Sequence, residues 1–150
     1  MISFDECKRK GKIIRFRSGK SLFEKEFVTA KEDFATAKKS LRGKNYKWAI
    51  IQGYYSIFHA ARALLYQKDF NEHSHICLFV AILNLYKGQL DDGDFERFKR
   101  AKSLREGADY DFKSDKKSAE FVVSFAKEFL AKSAKNIGLK IIERENLNRS

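Results

Sequence analysis

The sequence predicts an all-α protein, built as an antiparallel up-and-down bundle of about five helices. The chain has 150 residues, which is enough for one domain with a hydrophobic core of its own. It contains 8 glycines and no proline, whereas folds with many tight turns, such as β-sandwiches and barrels, normally need both residues. Hydrophobic residues make up 43% of the chain, which argues against a disordered protein.

The glycines mark the ends of the predicted helices, with Gly53 as the exception. The first predicted helix begins at Ser21, which forms a capping box with Glu24, and it ends at Gly43. Its apolar residues are spaced by alternating steps of four and three, as on one face of a helix. They are Phe23, Phe27, Ala30, Phe34, Ala37 and Leu41.

The second predicted helix runs from a cap at Asn45 to about Lys68 and has one wide apolar face. Gly53 lies inside it, where glycine costs about 1 kcal/mol relative to alanine. A helix usually accepts this cost where another backbone approaches closely. We therefore expect a neighbouring element to pack against Gly53.

The third predicted helix, from Glu72 to Lys87, is apolar on all sides between Ile76 and Leu83. Such a helix is buried on all sides. In a bundle this small, complete enclosure requires a second subunit, so the sequence predicts a homodimer. The predicted interface residues are Tyr55, His59, Phe79 and Leu83.

The fourth and fifth predicted helices complete the bundle. The fourth follows Gly93 and ends at Gly107, and the fifth runs from about Ser114 to Gly138. Short connections between long helices imply that neighbouring helices are antiparallel.

The chain is predicted to comprise a basic N-terminal arm of residues 1–20, the bundle of residues 21–138 and a C-terminal tail of residues 139–150. The arm holds seven lysines and arginines against two acidic residues, a net charge of +5 out of +11 for the whole chain. Such an arm suits phosphate-bearing partners through counterion release, or it is a poorly ordered, solubilising terminus. Within it, residues 12–17 could form a short strand that pairs with residues 139–142.

The cysteines and the N-terminus bear on the cellular compartment. Cys7 and Cys77 show no CxxC spacing, so we expect two free thiols rather than a disulfide or a zinc site. The N-terminus lacks the apolar core of a signal peptide, and the longest apolar run has eight residues, against roughly 20 for a membrane span. We therefore expect a cytoplasmic protein.

Motifs for cofactors and metals are absent from the sequence. No glycine-rich phosphate loop, HExxH motif or nucleophile elbow occurs. Alternate spacing of His73, His75 and Cys77 would present three metal ligands on a strand. The flanking pattern is a helix start, however, and on a helix only His73 and Cys77 share a face. The sequence thus predicts no metal and no cofactor, and the histidines are better explained as helix-cap or interface residues.

A polar and aromatic face runs along the second predicted helix through Tyr55, His59, Arg62 and Tyr66. Arginine and histidine between tyrosines could stack on a base and hold a phosphate. Tyrosine and arginine are also enriched at protein interfaces, and the interface explanation agrees with the predicted dimer.

Arg105 lies at the predicted junction between the fourth and fifth helices. An arginine held beside a glycine break offers a fixed, planar donor for phosphate. The structural alternative is that Arg105 pairs with Asp109 while Tyr110 packs under the turn.

Three segments together resemble one known family, the HEPN domain. They are Tyr54–Leu65 (YYSIFHAARALL), Glu72-His73-Ser74, and Arg105 with Asp109-Tyr110. The resemblance covers about residues 21–137, in order and at matching spacing. More narrowly, the chain is similar to small stand-alone prokaryotic HEPN proteins of the nucleotidyltransferase-associated type.

The resemblance implies an antiparallel helical bundle that is usually dimeric. HEPN proteins are often encoded beside a minimal nucleotidyltransferase, in a toxin–antitoxin or related two-component module. Many members are metal-independent ribonucleases with an Arg-x(4–6)-His motif. In that reaction the 2′-hydroxyl attacks its own phosphate, the histidine moves protons and the arginine stabilises the phosphorane.

This sequence departs from that motif, because Tyr110 stands where the histidine after Arg105 is expected. The departure favours binding of nucleotide or RNA phosphates over cleavage. The predicted ligand-binding residues are Arg105, Asp109, His73, His59 and Arg62. One alternative is an atypical endoribonuclease that uses Arg105 and Tyr110, with His59 or His73 substituting across a dimer groove. A second alternative is a pure protein-interaction module.

Overall fold

The structure is a computed structural model that describes residues 1–110 and 114–138. Within them the chain forms a helical bundle and one small antiparallel sheet, which confirms the predicted all-α class. The elements are α1 (Phe4–Arg9), β1 (Ile13–Arg15), α2 (Gly19–Arg42), α3 (Tyr46–Gln67), β2 (Phe70–Glu72), α4 (His75–Leu85), α5 (Asp92–Tyr110) and α6 (Lys116–Ile137). None of these helices is both long and apolar enough to cross a membrane.

Helix α2 begins two residues earlier than predicted. Ser18 occupies the N-cap position, so the predicted capping box of Ser21 and Glu24 is wrong. The Ser21 hydroxyl instead donates to the Ser18 carbonyl at 2.8 Å. The predicted end at Gly43 is confirmed, because Gly43 is the C-cap residue.

Helix α3 lies at the centre of the bundle and packs against α2, α4, α5, α6 and β2. A Cβ atom at Gly53 would lie 2.9 Å from a methyl group of Val122 on α6, which confirms the predicted close approach. On the α2 side, the buried Ser56 hydroxyl donates to the Ala30 carbonyl at 2.8 Å. The glycine and the small residues therefore let α3 approach two helices closely.

Helix α4 is shorter than predicted and is enclosed by its own chain. Ser74 is its N-cap, with the side-chain oxygen accepting from the Cys77 amide. The helix packs against α1, α3, α5 and both strands. Phe79, predicted at a subunit interface, is fully buried and stacks on Phe98 with ring centroids 3.6 Å apart. The inference that a second subunit must cover this helix is therefore wrong.

Residues 1–20 are not an arm outside the bundle. They contribute α1 and β1, and they bury Phe4, Cys7 and Ile13 in the core. Strand β1 pairs antiparallel with β2, so that Ile13 lies opposite Glu72. The strand predicted at residues 12–17 thus exists, and the partner predicted at residues 139–142 lies outside the described residues.

The prediction of two free thiols is also wrong, because Cys7 and Cys77 form a disulfide with Cα atoms 5.7 Å apart. The bond joins α1 to α4. The two cysteines are separated by 70 residues in the sequence, and local spacing carries no information about a bond over such a distance. A native disulfide typically stabilises a fold by about 2–4 kcal/mol.

Helix α5 continues through Gly107 to Tyr110, so the predicted helix end at Gly107 is wrong. Near its start, buried Asp94 accepts hydrogen bonds from Lys132 of α6 at 2.9 Å and from Arg97 at 3.0 Å. The bond from Lys132 ties α5 to α6. The consequence for function is that Arg105 and Asp109 lie one turn apart on a continuous helix.

Candidate phosphate-binding site

Arg105 lies on α5 above two tyrosines of α3. Its guanidinium carbon is 5.2 Å from the ring centroid of Tyr54 and 5.6 Å from that of Tyr55. Nη1 donates to Asp109 Oδ2 at 3.1 Å, and the side chain is 19% exposed. Nε is buried without a hydrogen-bond partner. The guanidinium is thus held by packing and by one carboxylate, with donor capacity left over.

His75, the first residue of α4, packs against the same tyrosine as Arg105, with its ring centroid 5.9 Å from that of Tyr54. Its Nδ1 is hydrogen-bonded to Tyr54 Oη at 2.5 Å, and its ring stacks on Phe58 with centroids 4.4 Å apart. The pKa of His75 is lowered, first by burial and then by the charges of Arg105, Lys102 and Arg62. Since the ordinary pKa of histidine is about 6.5, His75 is neutral at pH 7.

Tyr54 connects the arginine and the histidine. Burial raises the pKa of Tyr54 well above its usual range, although Arg105 opposes the shift, so the phenol stays protonated at neutral pH. In the tautomer where the phenol donates to Nδ1, the ring proton of His75 sits on Nε2. Among the described residues, Tyr54 is the one hydrogen-bond partner of the His75 ring.

Lys102 adds a second cation one turn before Arg105 on α5. Its Nζ donates to Glu106 Oε1 at 2.5 Å, just as Arg105 donates to Asp109 four residues later. This hydrogen bond is the main reason that the pKa of Glu106 is lowered. Ion pairs of this partly exposed kind stabilise little, so an incoming phosphate can compete with their carboxylates. We call Tyr54, Tyr55, His75, Lys102 and Arg105 the Arg105 site.

Two other predicted ligand-binding residues are already paired within the chain. Arg62 binds the buried carboxylate of Glu72 through Nε at 2.5 Å and Nη2 at 3.4 Å. His59 Nδ1 is 2.5 Å from Glu26 Oε1, and His59 Nε2 is 3.7 Å from Asp33 Oδ2. We call these five residues the ion-pair cluster. It joins α2, α3 and β2.

The remaining predicted residues are dispersed. His73 is exposed between β2 and α4. Leu83 is partly buried on α4, and Tyr55 is partly buried in the Arg105 site. The side chain of Tyr110 lies outside the described residues. Within the described part of the chain, no three histidine, cysteine or carboxylate side chains are grouped as a metal site requires.

The sequence pattern missed His75 and Lys102. No local pattern marks His75, because it does not share a helix face with His73 and Cys77 and its hydrogen bond to Tyr54 spans 21 residues. Lys102 could have been found from the helical spacing of Lys102, Arg105, Glu106 and Asp109. That pattern was obscured by the assumption that Gly107 ends the helix.

Comparison with known proteins identifies one family. A sequence model of the HEPN domain matches residues 24–137. A protein of Methanocaldococcus jannaschii named "Putative toxin MJ0142" is 30% identical over 142 residues, which cover 91% of this chain and 96% of that protein. A second protein of the same organism, "Putative toxin MJ0605", is 30% identical over 105 residues, which cover 67% of this chain and 78% of that protein. The chain belongs to the HEPN domain family.

Proposed function

We propose that this protein binds nucleotide or RNA phosphates in the Arg105 site and has a toxin-like role. The names of the two Methanocaldococcus jannaschii relatives support the role. The main observation in favour of this site is the position of the Arg105 guanidinium over Tyr54 and Tyr55. Among the described residues, the guanidinium has one hydrogen bond, to Asp109. A planar guanidinium with spare donors matches the geometry of a phosphate.

The surroundings of Arg105 suit a nucleotide as well as a phosphate. Tyr55 is partly exposed beside the guanidinium, and its aromatic ring can stack on a base. Lys102 supplies further positive charge about one turn before Arg105 on α5. Both the phosphate and the base of a nucleotide therefore have binding partners within one short stretch of α3 and α5.

Binding is tested with Arg105→Ala and a matched control on the same helix. Arg100 is exposed, and it packs over Phe121 rather than in the Arg105 site. Arg105→Ala is expected to weaken binding of AMP and of single-stranded RNA about tenfold, whereas Arg100→Ala leaves AMP binding unchanged. Equal losses for the two variants, measured by calorimetry at low salt, would contradict the assignment.

A second candidate function, metal-independent RNA cleavage, is favoured by His75. Burial and nearby cations, Arg105 among them, lower the pKa of His75, so its ring is neutral at pH 7 and able to accept a proton. In the tautomer where Nδ1–H of His75 donates to Tyr54 Oη, Nε2 is free to act as a base. The 2′-oxygen then forms a bond to the adjacent phosphorus and loses its proton to His75 Nε2. The bond from phosphorus to the 5′-oxygen breaks, and that oxygen takes up a proton from water. Arg105 stabilises the charge on the phosphorane.

Cleavage is tested by incubating RNA with the protein in the presence of a metal chelator. The matched variants are His75→Gln and His59→Gln, since His59 belongs to the ion-pair cluster. If the protein is a ribonuclease, wild type and His59→Gln yield 2′,3′-cyclic phosphate ends, and His75→Gln does not. If His75→Gln still cleaves RNA, this histidine is not part of the mechanism. If the wild-type protein does not cleave RNA, binding is the better description of the function.

The proposed partners rest on the resemblance described above and need separate tests. We propose a homodimer that acts with a minimal nucleotidyltransferase. Solution mass at micromolar concentration tests the dimer, and a monomer would contradict it. Co-purification with a nucleotidyltransferase from a neighbouring reading frame tests the second partner. If the protein binds neither nucleotide nor RNA but does retain such a partner, a pure interaction module is the better description.

A further inference from the structure

A basic and aromatic surface lies at the turn between α2 and α3, outside the Arg105 site. It comprises Lys39, Arg42, Lys44, Lys47 and Trp48, all of which are exposed. We call it the Trp48 surface. The sequence from residue 34 to residue 68 contains no aspartate or glutamate. Within the described part of the chain, none of these four cations pairs with a carboxylate.

An exposed tryptophan is not expected in a basic patch whose only role is to keep the protein in solution, and Trp48 is such a residue. Its side chain is 48% exposed, and the Lys47 ammonium lies 5.7 Å from its ring centroid. An aromatic ring that stays exposed to water does not contribute the favourable free energy that its burial in the core would provide. An exposed aromatic ring flanked by cations is the arrangement that binds single-stranded nucleic acid, with bases on the ring and phosphates on the cations.

The backbone conformation of Lys44 also supports a ligand-binding role for this surface. Lys44 has a φ of 61°, in the left-handed region where glycine or asparagine is favoured. The preceding residue, Gly43, has a φ of −79° and does not need this freedom. The turn thus has a lysine where glycine or asparagine would be less strained, and this lysine adds a cation to the end of α2 and the start of α3.

The Trp48 surface is aligned with the Arg105 site. Trp48 and Tyr55 are separated by seven residues, so they lie on the same face of α3, about 10 Å apart along the helix axis. Tyr55 is 5.6 Å from the Arg105 guanidinium. A single nucleotide is too short to reach both rings, whereas an RNA strand of a few nucleotides can.

We propose that the Trp48 surface is a second binding site for single-stranded RNA, which extends the Arg105 site along α3. The inference rests on the proposed function, because the strand is anchored by a phosphate at Arg105. Trp48 stacks on a base of that strand, and Lys44 and Lys47 bind its phosphates. Nucleic acid is preferred to an acidic protein because an acidic chain has no bases for the exposed ring.

The test compares a long and a short ligand on the same set of variants. The probes are AMP and a fluorescent RNA of about 12 nucleotides, with 2′-O-methyl groups so that it cannot be cleaved. Trp48→Ala is expected to weaken binding of the RNA about fivefold or more and to leave AMP unchanged, whereas Trp48→Phe keeps most of the affinity. Arg105→Ala is expected to weaken both.

Charge is tested with Lys44→Gly and Lys47→Ala, with Lys10→Ala as the matched control. Lys10 is exposed at the end of α1, close to the β1–β2 sheet and thus to the other end of α3. Each of the first two variants should reduce the slope of log affinity against log salt by about 0.7, and Lys10→Ala should not. Lys44→Gly should also be at least as heat-stable as wild type, which separates lost binding from lost folding.

The outcomes separate the two proposals. If Trp48→Ala and Lys47→Ala bind the RNA like Lys10→Ala while Arg105→Ala is weak, the second site is wrong and the proposed function stands. If Arg105→Ala changes neither ligand, the proposed function itself is wrong. If polyglutamate displaces the RNA at equal charge concentration, the surface recognises polyanions in general and the assignment to RNA is overturned.

Discussion

Two clusters on neighbouring turns of α3 use the same kinds of side chain and differ in how their charges are balanced. In the ion-pair cluster, His59 and Arg62 contact the carboxylates of Glu26, Asp33 and Glu72. In the Arg105 site, the histidine contacts a tyrosine and lies among cations. Phe58 separates them, with the Arg62 guanidinium carbon 4.5 Å from its ring centroid and the His75 ring centroid at 4.4 Å.

The difference shows which cations are free for a ligand. A cation that is bound to a buried carboxylate has already exchanged water for a fixed partner, and an external phosphate must displace that partner. A cation with a single, partly exposed partner loses little when a phosphate replaces it. The Arg105 site is therefore the ligand-binding candidate, and the ion-pair cluster is a structural link between α2, α3 and β2.

The largest expected effect belongs to the ion-pair cluster. Glu72 has a side chain that is 2% exposed and binds Arg62 through two hydrogen bonds. Glu72→Gln leaves the Arg62 charge without its carboxylate, which is expected to lower the free energy of unfolding by about 3 kcal/mol. Urea denaturation measures this change. The double variant Arg62→Met/Glu72→Met should lose much less, and an equal loss would contradict a charge-based explanation.

A smaller effect, in the opposite direction, is expected at the edge of the Arg105 site. Asp109 is 36% exposed and accepts a hydrogen bond from Arg105. Asp109→Asn removes a carboxylate that competes with phosphate, so AMP is expected to bind about two- to fivefold more tightly. Asp92→Asn, at the other end of α5, serves as the control for net charge. Weaker binding by Asp109→Asn alone would show that Asp109 contacts the ligand itself.

The smallest expected effect is the pH dependence contributed by His75. The folded-state pKa of His75 is lowered by burial and by Arg105, Lys102 and Arg62, so the unfolded chain binds the proton more readily. Its contribution to stability is complete above about pH 6.5 and is lost as the pH falls towards the lowered pKa. Thermal unfolding should show a weaker dependence for His75→Gln than for wild type. Exposed His73→Gln should follow wild type, and identical curves for all three proteins would contradict the assignment.

Local features of the sequence predicted most of the helices. Gly43 and Gly138 end α2 and α6 as expected, and Gly53 marks the close approach of α6. These predictions succeeded because caps and helical periodicity depend on neighbouring residues. Gly107 was misleading, since a glycine with open space around it lies within a continuous helix.

Long-range features could not be predicted in the same way. The Cys7–Cys77 bond and the packing of residues 1–20 on the bundle depend on contacts between distant segments. Residues 1–20 help to enclose α4, so its burial does not require the second subunit that the sequence predicts. Arg105 was identified from the sequence, but its histidine neighbour, His75, emerged only when α4 and α5 were placed against α3.

The central claim is that the Arg105 site, and not the ion-pair cluster, binds phosphate. The most direct measurement is calorimetric titration of AMP into wild type, Arg105→Met and the double variant Arg62→Met/Glu72→Met. Arg105→Met is expected to lose about tenfold in affinity, since one fixed guanidinium is removed from the phosphate. The double variant is expected to bind like wild type. Wild-type affinity in Arg105→Met together with a loss in the double variant would contradict the account.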